Sequence, residues 1–304
     1  MTQIRTRPNR LLAASLGAAF AASLLAVGVA GAPAGAAVRH AATIPTPPKD
    51  PAVAKLVPAS IVKTGVISYA LDATYPPDEF VAANGKTIIG MDADFATALS
   101  AVMGVKAKTE NITFDTIITG LTSGKFDVGN SSFTITSARA KVVNFVSYFQ
   151  AGEGYYTKAS STLKLNGLAS LCGKTVSVEN GTTEQTDAQT QNTACKKAKK
   201  AGVTVLGYND QNEANLAVSS GRAQLGFSDS QVAAYIVKQS NGQFKLNGQA
   251  FEVAPYGLAF PKSSTLDKAT LAAVKVLMKD GIYAKILAKW GTQTGAITNP
   301  QIVS

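Results

Sequence analysis

One phrase occurs twice in this chain, and it narrows the folds open to it. Leu121-Thr122-Ser123-Gly124-Lys125-Phe126-Asp127-Val128-Gly129-Asn130-Ser131-Ser132 is echoed by Val218-Ser219-Ser220-Gly221-Arg222-Ala223-Gln224-Leu225-Gly226-Phe227-Ser228-Asp229. Each copy reads as a helix closed by glycine, a short apolar strand, and a polar pair at the strand's carboxyl end. Open α/β sheets place ligand sites at such ends. Two copies therefore predict two related lobes with a cleft between them. The last polar residue is Ser132 in one copy and Asp229 in the other. Ser131, Ser132 and Thr134 offer small hydrogen-bonding groups, and Arg139 stands where a helix should begin, its planar fork suited to a carboxylate.

Strand and helix signals alternate around these phrases, which predicts α/β architecture with mainly parallel sheets. Strands are expected at Val66–Leu71, Lys106–Glu110, Thr175–Val178, Thr204–Leu206, Gln224–Phe227 and Tyr256–Phe260. Helical spacing marks Asp92–Met103, Phe114–Ser123, Gln211–Ser220 and Ser230–Gln239, and Leu266–Trp290 reads as two helices broken near Gly281. Val142–Val146 is extended, and Gly152–Tyr156 looks like a crossing between lobes. Asn84-Gly85 signals a tight turn. Thr182 and Gln185 have capping-box spacing, so a long helix should begin there with free N–H groups able to hold an anion. Trp290 is expected in the core.

The 304 residues suffice for two domains, and 46% hydrophobic with 16% charged residues fits a packed core. Arg5, Arg7 and Arg10 precede an uncharged stretch from Leu11 to Val38, with a small-x-small cleavage site at Ala34-Gly35-Ala36. This reads as a secretory signal peptide over 1–36, the alternative being an uncleaved anchor. No cysteine near the site offers a lipid attachment point. Residues 37–55 form a Pro-rich linker, expected to be a flexible stalk. Of the net charge of +10, three charges belong to the leader, leaving about +7. The densest basic run, Lys196, Lys197, Lys199 and Lys200, has no interleaved aromatics, so it reads as a solvated helix face rather than a nucleic-acid site. Cys172 and Cys195 are the two cysteines, expected to form a disulfide in an exported chain, with two buried thiols as the alternative. The sole histidine, His40, lies in the linker, so no metal site or cofactor is expected.

Taken in order, Asp72-Ala73-Thr74-Tyr75-Pro76-Pro77, Gly90-Met91-Asp92-Ala93-Asp94-Phe95, Phe114-Asp115, Ser123-Gly124-Lys125-Phe126-Asp127, Thr134-Ile135-Thr136-Ser137-Ala138-Arg139-Ala140 and Gly181-Thr182-Thr183 resemble the bacterial extracellular solute-binding proteins of family 3, from about Val62 to Trp290. The resemblance implies a two-lobed periplasmic-binding-protein fold of type II with two hinge strands. Its lobes would comprise 56–150 with a return over 253–304, and 151–252. It implies a monomer, exported to the periplasm or the outer face of the membrane, that binds a free polar or basic amino acid and delivers it to the permease of an ABC importer. By the same resemblance Arg139 pairs with the ligand α-carboxylate, aided by Thr183 beside Thr182. Ser131, Ser132 and Thr134 serve as strand-end groups, Asp229 holds the α-ammonium, Tyr75 and Phe114 pack on the side chain, and Asp72 is an acidic group at that wall.

The chain departs from the family where Asp78-Glu79 precedes Phe80. These two acids are expected to be solvated loop residues, although with Asp72 and Glu153 they could neutralise a cationic side chain. The competing reading is an enzyme on the same fold, a dehydratase or lyase with Asp229, Asp72 or Glu184 as general base. A Ser–His or Cys–His nucleophile is excluded by the place of His40. A third reading is a sensory binding module.

Overall fold

A computed structural model of the protein describes residues 44–304. The signal peptide expected over 1–36 and linker residues 37–43 lie outside the described residues. From Ile44 onward the linker is not a free stalk. Pro47, Val53 and Val57 are buried against the first core. Asp50 caps α1 (Pro51–Ala54), its Oδ1 accepting from Ala52 N at 2.7 Å and Val53 N at 3.0 Å, and Asp50 N–H donates to Val102 O at 2.9 Å. Proline composition signalled extension, but the valines among the prolines bury apolar area, and that decides the outcome.

The first half continues through α2 (Ala59–Thr64), β1 (Val66–Leu71), β2 (Thr74–Tyr75), β3 (Glu79–Val81) and β4 (Ile88–Ile89). It is completed by α3 (Met91–Met103), β5 (Lys106–Asn111), α4 (Phe114–Thr122), β6 (Val128–Gly129) and α5 (Ser137–Ala140). β1 runs parallel between β5 and β6, so its carboxyl end, and that of β6, open on the same side. β2, β3 and β4 form a separate antiparallel ribbon. The ribbon folds Asp78 and Glu79 inward: neither is exposed to solvent at all, so these are not solvated loop residues.

The two extended stretches at Val142–Val146 and Gly152–Tyr156 are parts of one strand, β7 (Val143–Lys158). The second half follows with β8 (Thr175–Glu179), α6 (Thr183–Lys197), β9 (Thr204–Tyr208), α7 (Gln211–Ser220), β10 (Leu225–Asp229), α8 (Ser230–Gln239) and β11 (Phe244–Leu246). β12 (Phe251–Pro261) then returns the chain to α9 (Leu266–Lys279), α10 (Ile282–Trp290) and β13 (Ile302–Val303). Gly281, at φ +72°, separates α9 from α10 as expected. Trp290 is only half-buried, its indole N–H donating to Asp94 Oδ2 at 2.6 Å, so it edges the core rather than filling it. Lys199 and Lys200 fall beyond the end of α6, so the basic run is an exposed helix end rather than one helix face.

The fold is a two-lobed α/β structure whose halves share one sheet of order β5-β1-β6-β12-β7-β10-β8-β9. β7 and β12 make the junction: Val143–Phe149 pairs with the carboxyl half of β12, while Gly154–Tyr156 pairs with β10. Their ladder slips between Phe251 and Ala254 and again between Tyr256 and Gly257. Such irregularities bend and twist a ribbon locally, here where it passes between lobes. Each lobe keeps its own core, around Phe95, Leu99 and Ile286 on one side and Val176, Leu225 and Phe227 on the other.

Helix α6 is polar, with only Glu184, Ala188 and Cys195 buried. The Cys172–Cys195 disulfide, spanning 23 residues, supplies the anchor that an apolar stripe would otherwise give. Loop-closure entropy for that span corresponds to about 3 kcal/mol. Reduction, or Cys195→Ser, is expected to lower the denaturant midpoint accordingly; identical midpoints for oxidised and reduced protein would show that α6 holds without its staple.

Candidate functional site

The lobes border a small cleft, and all ten residues singled out from the sequence line it. Asp72, Tyr75, Phe114, Ser131, Ser132, Thr134 and Arg139 come from the first half, Thr182, Thr183 and Asp229 from the second. Glu79, Glu179 and Glu184 complete the wall. Of these, Glu184 was foreseen only as a candidate base, Glu79 as a loop acid with neutralisation of a cationic side chain as the alternative, and Glu179 not at all. The signal for Glu179 was present: it ends a parallel strand immediately before Asn180-Gly181, the position that singled out Asp229 and Ser132 in theirs.

One end of the cavity is built around Arg139. Its helix α5 is capped by Thr136, whose Oγ1 accepts from Arg139 N at 3.2 Å. The guanidinium lies over the faces of Phe114 and Phe133, 5.4 Å from each ring centroid, with those rings stacked 4.6 Å apart. It donates to Thr134 O at 2.7 Å and, across the cleft, to Gly181 O at 2.9 Å. Two carbonyls use only part of a five-donor fork, so N–H groups remain for a ligand. Burial lowers the Arg139 pKa from its ordinary value, with Glu184 and Asp229 opposing that shift. Gly181 allows the close approach, standing at φ +80° where a Cβ would meet Asp115 of the facing lobe at 2.9 Å.

Asp229 faces this end from α8. It is the N-cap residue of that helix but makes no side-chain cap bond; its Oδ2 instead accepts from Tyr75 OH at 2.9 Å across the cleft. Tyr75 is thus a hydrogen-bonding residue as well as an aromatic wall. Desolvation pushes Asp229 up to about 6, partly offset by hydrogen bonds from Tyr256 and Tyr75 and by Arg139. Thr182 caps α6, its Oγ1 accepting from Gln185 N at 3.1 Å. The reciprocal bond falls one residue earlier than a capping box, with Gln185 Oε1 accepting from Gly181 N at 2.9 Å. The first turn of α6 meets the cavity through Thr182, Thr183 and Glu184.

The other end holds carboxyls. Asp72 accepts from Phe114 N at 2.9 Å and Thr74 Oγ1 at 2.7 Å, and lies in hydrogen-bond reach of Glu179 from the opposite lobe. Burial raises both acids; Asp72 raises Glu179 further, whereas the hydrogen bond with Glu179 partly lowers Asp72. Behind the wall, Ser131 Oγ donates to Glu79 Oε1 at 2.7 Å and Ser132 Oγ to Asp78 Oδ2 at 3.0 Å. Ser132 sits at φ +48°, with its N–H on Asp92 Oδ2 at 2.9 Å. Asp78 also accepts from Gln231 Nε2 of the second lobe at 2.7 Å. Glu153, expected near the side-chain wall, is buried outside the cavity lining and pushed up to about 10 by desolvation and by Glu184 and Asp187. Among the described residues no group of three acids, cysteines or histidines is arranged to hold a metal ion, and no helix is long and apolar enough to cross a membrane.

Residues 67–293 match the model of the bacterial extracellular solute-binding proteins, family 3. An arginine-binding protein of Corynebacterium glutamicum is 30% identical over 248 residues, 81% of each chain. A solved ancestral arginine-binding protein bound to arginine superposes with a TM-score of 0.68 at 36% identity, covering 74% of this chain and 98% of that one. An ancestral amino acid-binding protein described as a precursor of cyclohexadienyl dehydratase also superposes with a TM-score of 0.68, at 32% identity over 76% of this chain and 97% of the other.

Asp92 gives the acid cluster a measurable signature. It accepts from Tyr148 OH at 2.7 Å and from Ser132 N, and desolvation raises it from 3.8 to about 6. A carboxyl raised on folding binds its proton more tightly in the native state, so its stabilisation is complete below pH ~4 and is lost as pH rises through about 6. The melting temperature of Asp92→Asn, subtracted from that of the ligand-free wild type, is expected to fall across this window, by an amount equivalent to roughly 1–3 kcal/mol. A difference that rises with pH would contradict the burial assignment.

Proposed function

The chain belongs to the bacterial extracellular solute-binding proteins of family 3, and from that premise we propose that it binds one free basic amino acid between its lobes for an ABC importer. The observation that carries this reading is the charge of the wall. Asp72, Glu79, Glu179, Glu184 and Asp229 face the cavity, with Arg139 the single cation among the described lining residues. A zwitterion brings no net charge, whereas a basic amino acid brings a cation to a site rich in carboxyls.

In this reading Arg139 and the amide end of α6 at Thr183 take the α-carboxylate, with Thr134 beside them. Asp229, oriented by Tyr75, takes the α-ammonium. Phe114 covers the side chain, which runs toward Asp72, and Ser131 and Ser132 brace the wall. Each hydrogen bond to a charged group contributes roughly 1.5–3 kcal/mol. Contacts from both lobes are realised together only when the lobes are closed, so the ligand shifts the hinge toward closure. The lobes are taken as 56–150 with 253–304, and 151–252. The leader would direct export, and a monomer would meet its permease at the outer face of the membrane.

Binding rather than turnover fits the wall. Asp72, Glu79 and Asp229 accept hydrogen bonds from Phe114 N, Ser131 Oγ and Tyr75 OH, an arrangement that suits charge recognition. The dehydratase precursor among the structural relatives is itself described as an amino acid-binding protein.

A thermal-shift screen of the mature chain against the twenty amino acids tests the proposal. A basic amino acid at a hundred times its dissociation constant is expected to add about 2.7 kcal/mol of stability. Arg139→Ala should weaken that binding by about 2–5 kcal/mol. Stabilisation by acidic amino acids alone, or consumption of the bound ligand, would overturn it.

A further inference from the structure

Glu179 has no counterpart in the chemistry needed for a free α-amino acid: Arg139 and Asp229 already answer both charged ends. It is nonetheless buried, at 3% exposure, and its Oε1 has no hydrogen-bond partner. The strand places it there. In β8, Val176 and Val178 enter the lobe core, while Ser177 lies on the other face and donates to Ala214 O at 3.0 Å. Glu179 shares the face of Ser177 by strand alternation. Its carbonyl is fixed by Thr182 Oγ1 at 2.8 Å, which ties the end of β8 to the start of α6.

Across the cleft Asp72 is equally fixed, by Phe114 N and Thr74 Oγ1. The two carboxyls lie within hydrogen-bond reach of each other, one from each lobe. The electrostatic neighbours divide the cavity. Arg139 interacts with Glu184 and Asp229, whereas Glu179 is faced by Asp72, Glu184 and Asp210, with Tyr75 also in its field. Among the described residues, the Asp72–Glu179 end therefore has no cation lining it.

Building on the basic amino-acid reading, we propose that Glu179 is the residue that selects a guanidinium side chain, forming with Asp72 a two-carboxylate clamp that closes on it from both lobes. A guanidinium is planar with donors on several edges, so it can serve two facing carboxylates at once. A neutral amide or urea brings no positive charge to offset the repulsion between the pair. In the empty cavity the facing carboxyls cannot both ionise at low cost, and they share a proton. The incoming guanidinium replaces that proton, so binding releases it.

Calorimetric titration of the mature chain with arginine and with citrulline, its uncharged urea isostere, tests the clamp. It is run in two buffers of different ionisation enthalpy to count released protons. For Glu179→Gln, arginine affinity is expected to fall about 10- to 100-fold, citrulline affinity to hold or rise, and proton release to diminish. Glu179→Asp, which keeps the charge on a shorter arm, should bind arginine more weakly than wild type yet still prefer it to citrulline. Should Glu179→Gln not fold, a Glu179→Asp variant with no preference for arginine over citrulline overturns the proposal. An unchanged arginine-to-citrulline ratio in Glu179→Gln overturns it as well, while leaving amino-acid binding intact. Wild-type protein that binds neither compound removes the underlying reading and the clamp with it.

Discussion

The structure depends on negative charge held away from water with too little positive charge beside it. Five carboxyls and one guanidinium line the cavity, and Asp78 and Asp92 stand directly behind them. Ionised carboxyls leave water reluctantly, and in proteins the common outcomes are a partner, a shared proton or a raised pKa. Here partners and raised pKa values both occur. Asp229 has Tyr75 and Arg139 nearby, Asp72 has Phe114 N and Glu179, and Asp92 has Tyr148 and Ser132 N. Burying so much acid lowers stability near neutral pH unless something cationic enters, and that links fold stability to ligand binding.

The shared sheet joins the two lobes. Each lobe holds its own core, and β7 and β12 carry the backbone between them with irregular pairing at the crossing. The bonds that span the cleft are few and polar: Arg139 to Gly181, Tyr75 to Asp229, Asp78 to Gln231, and Thr74 to Gln211. Tyr75 also packs its ring into a hydrophobic cluster with Tyr156, Val218 and Val232 of the second half. Closure of this kind is set by a handful of hydrogen bonds and by whatever lies between them, which is how a small ligand can control a large motion.

Much of this was legible in the chain because strand ends obey a rule. The repeated phrase located Ser132 and Asp229, the arginine followed from its place after the hydroxyls, and periodicity placed Gln211–Ser220, Ser230–Gln239 and the Gly281 break. What escaped had no local signal. Asp78 and Glu79 looked like loop residues because they follow two prolines; only the ribbon made by β2, β3 and β4 turns them inward. The linker looked free because proline dominates it, yet Val53 and Val57 anchor it by burial that depends on α3 and α9. Glu179 was passed over because an acid ending a strand is unremarkable until another acid, 107 residues earlier in the chain, is found facing it across the cleft.

Native mass spectrometry of the protein purified without added amino acid tests the charge argument most directly. The account requires that whatever remains bound from the cell carries a cationic side chain, so the mass increment should be that of a basic amino acid and should be lost in Arg139→Ala. A resident ligand with a neutral or acidic side chain would contradict it.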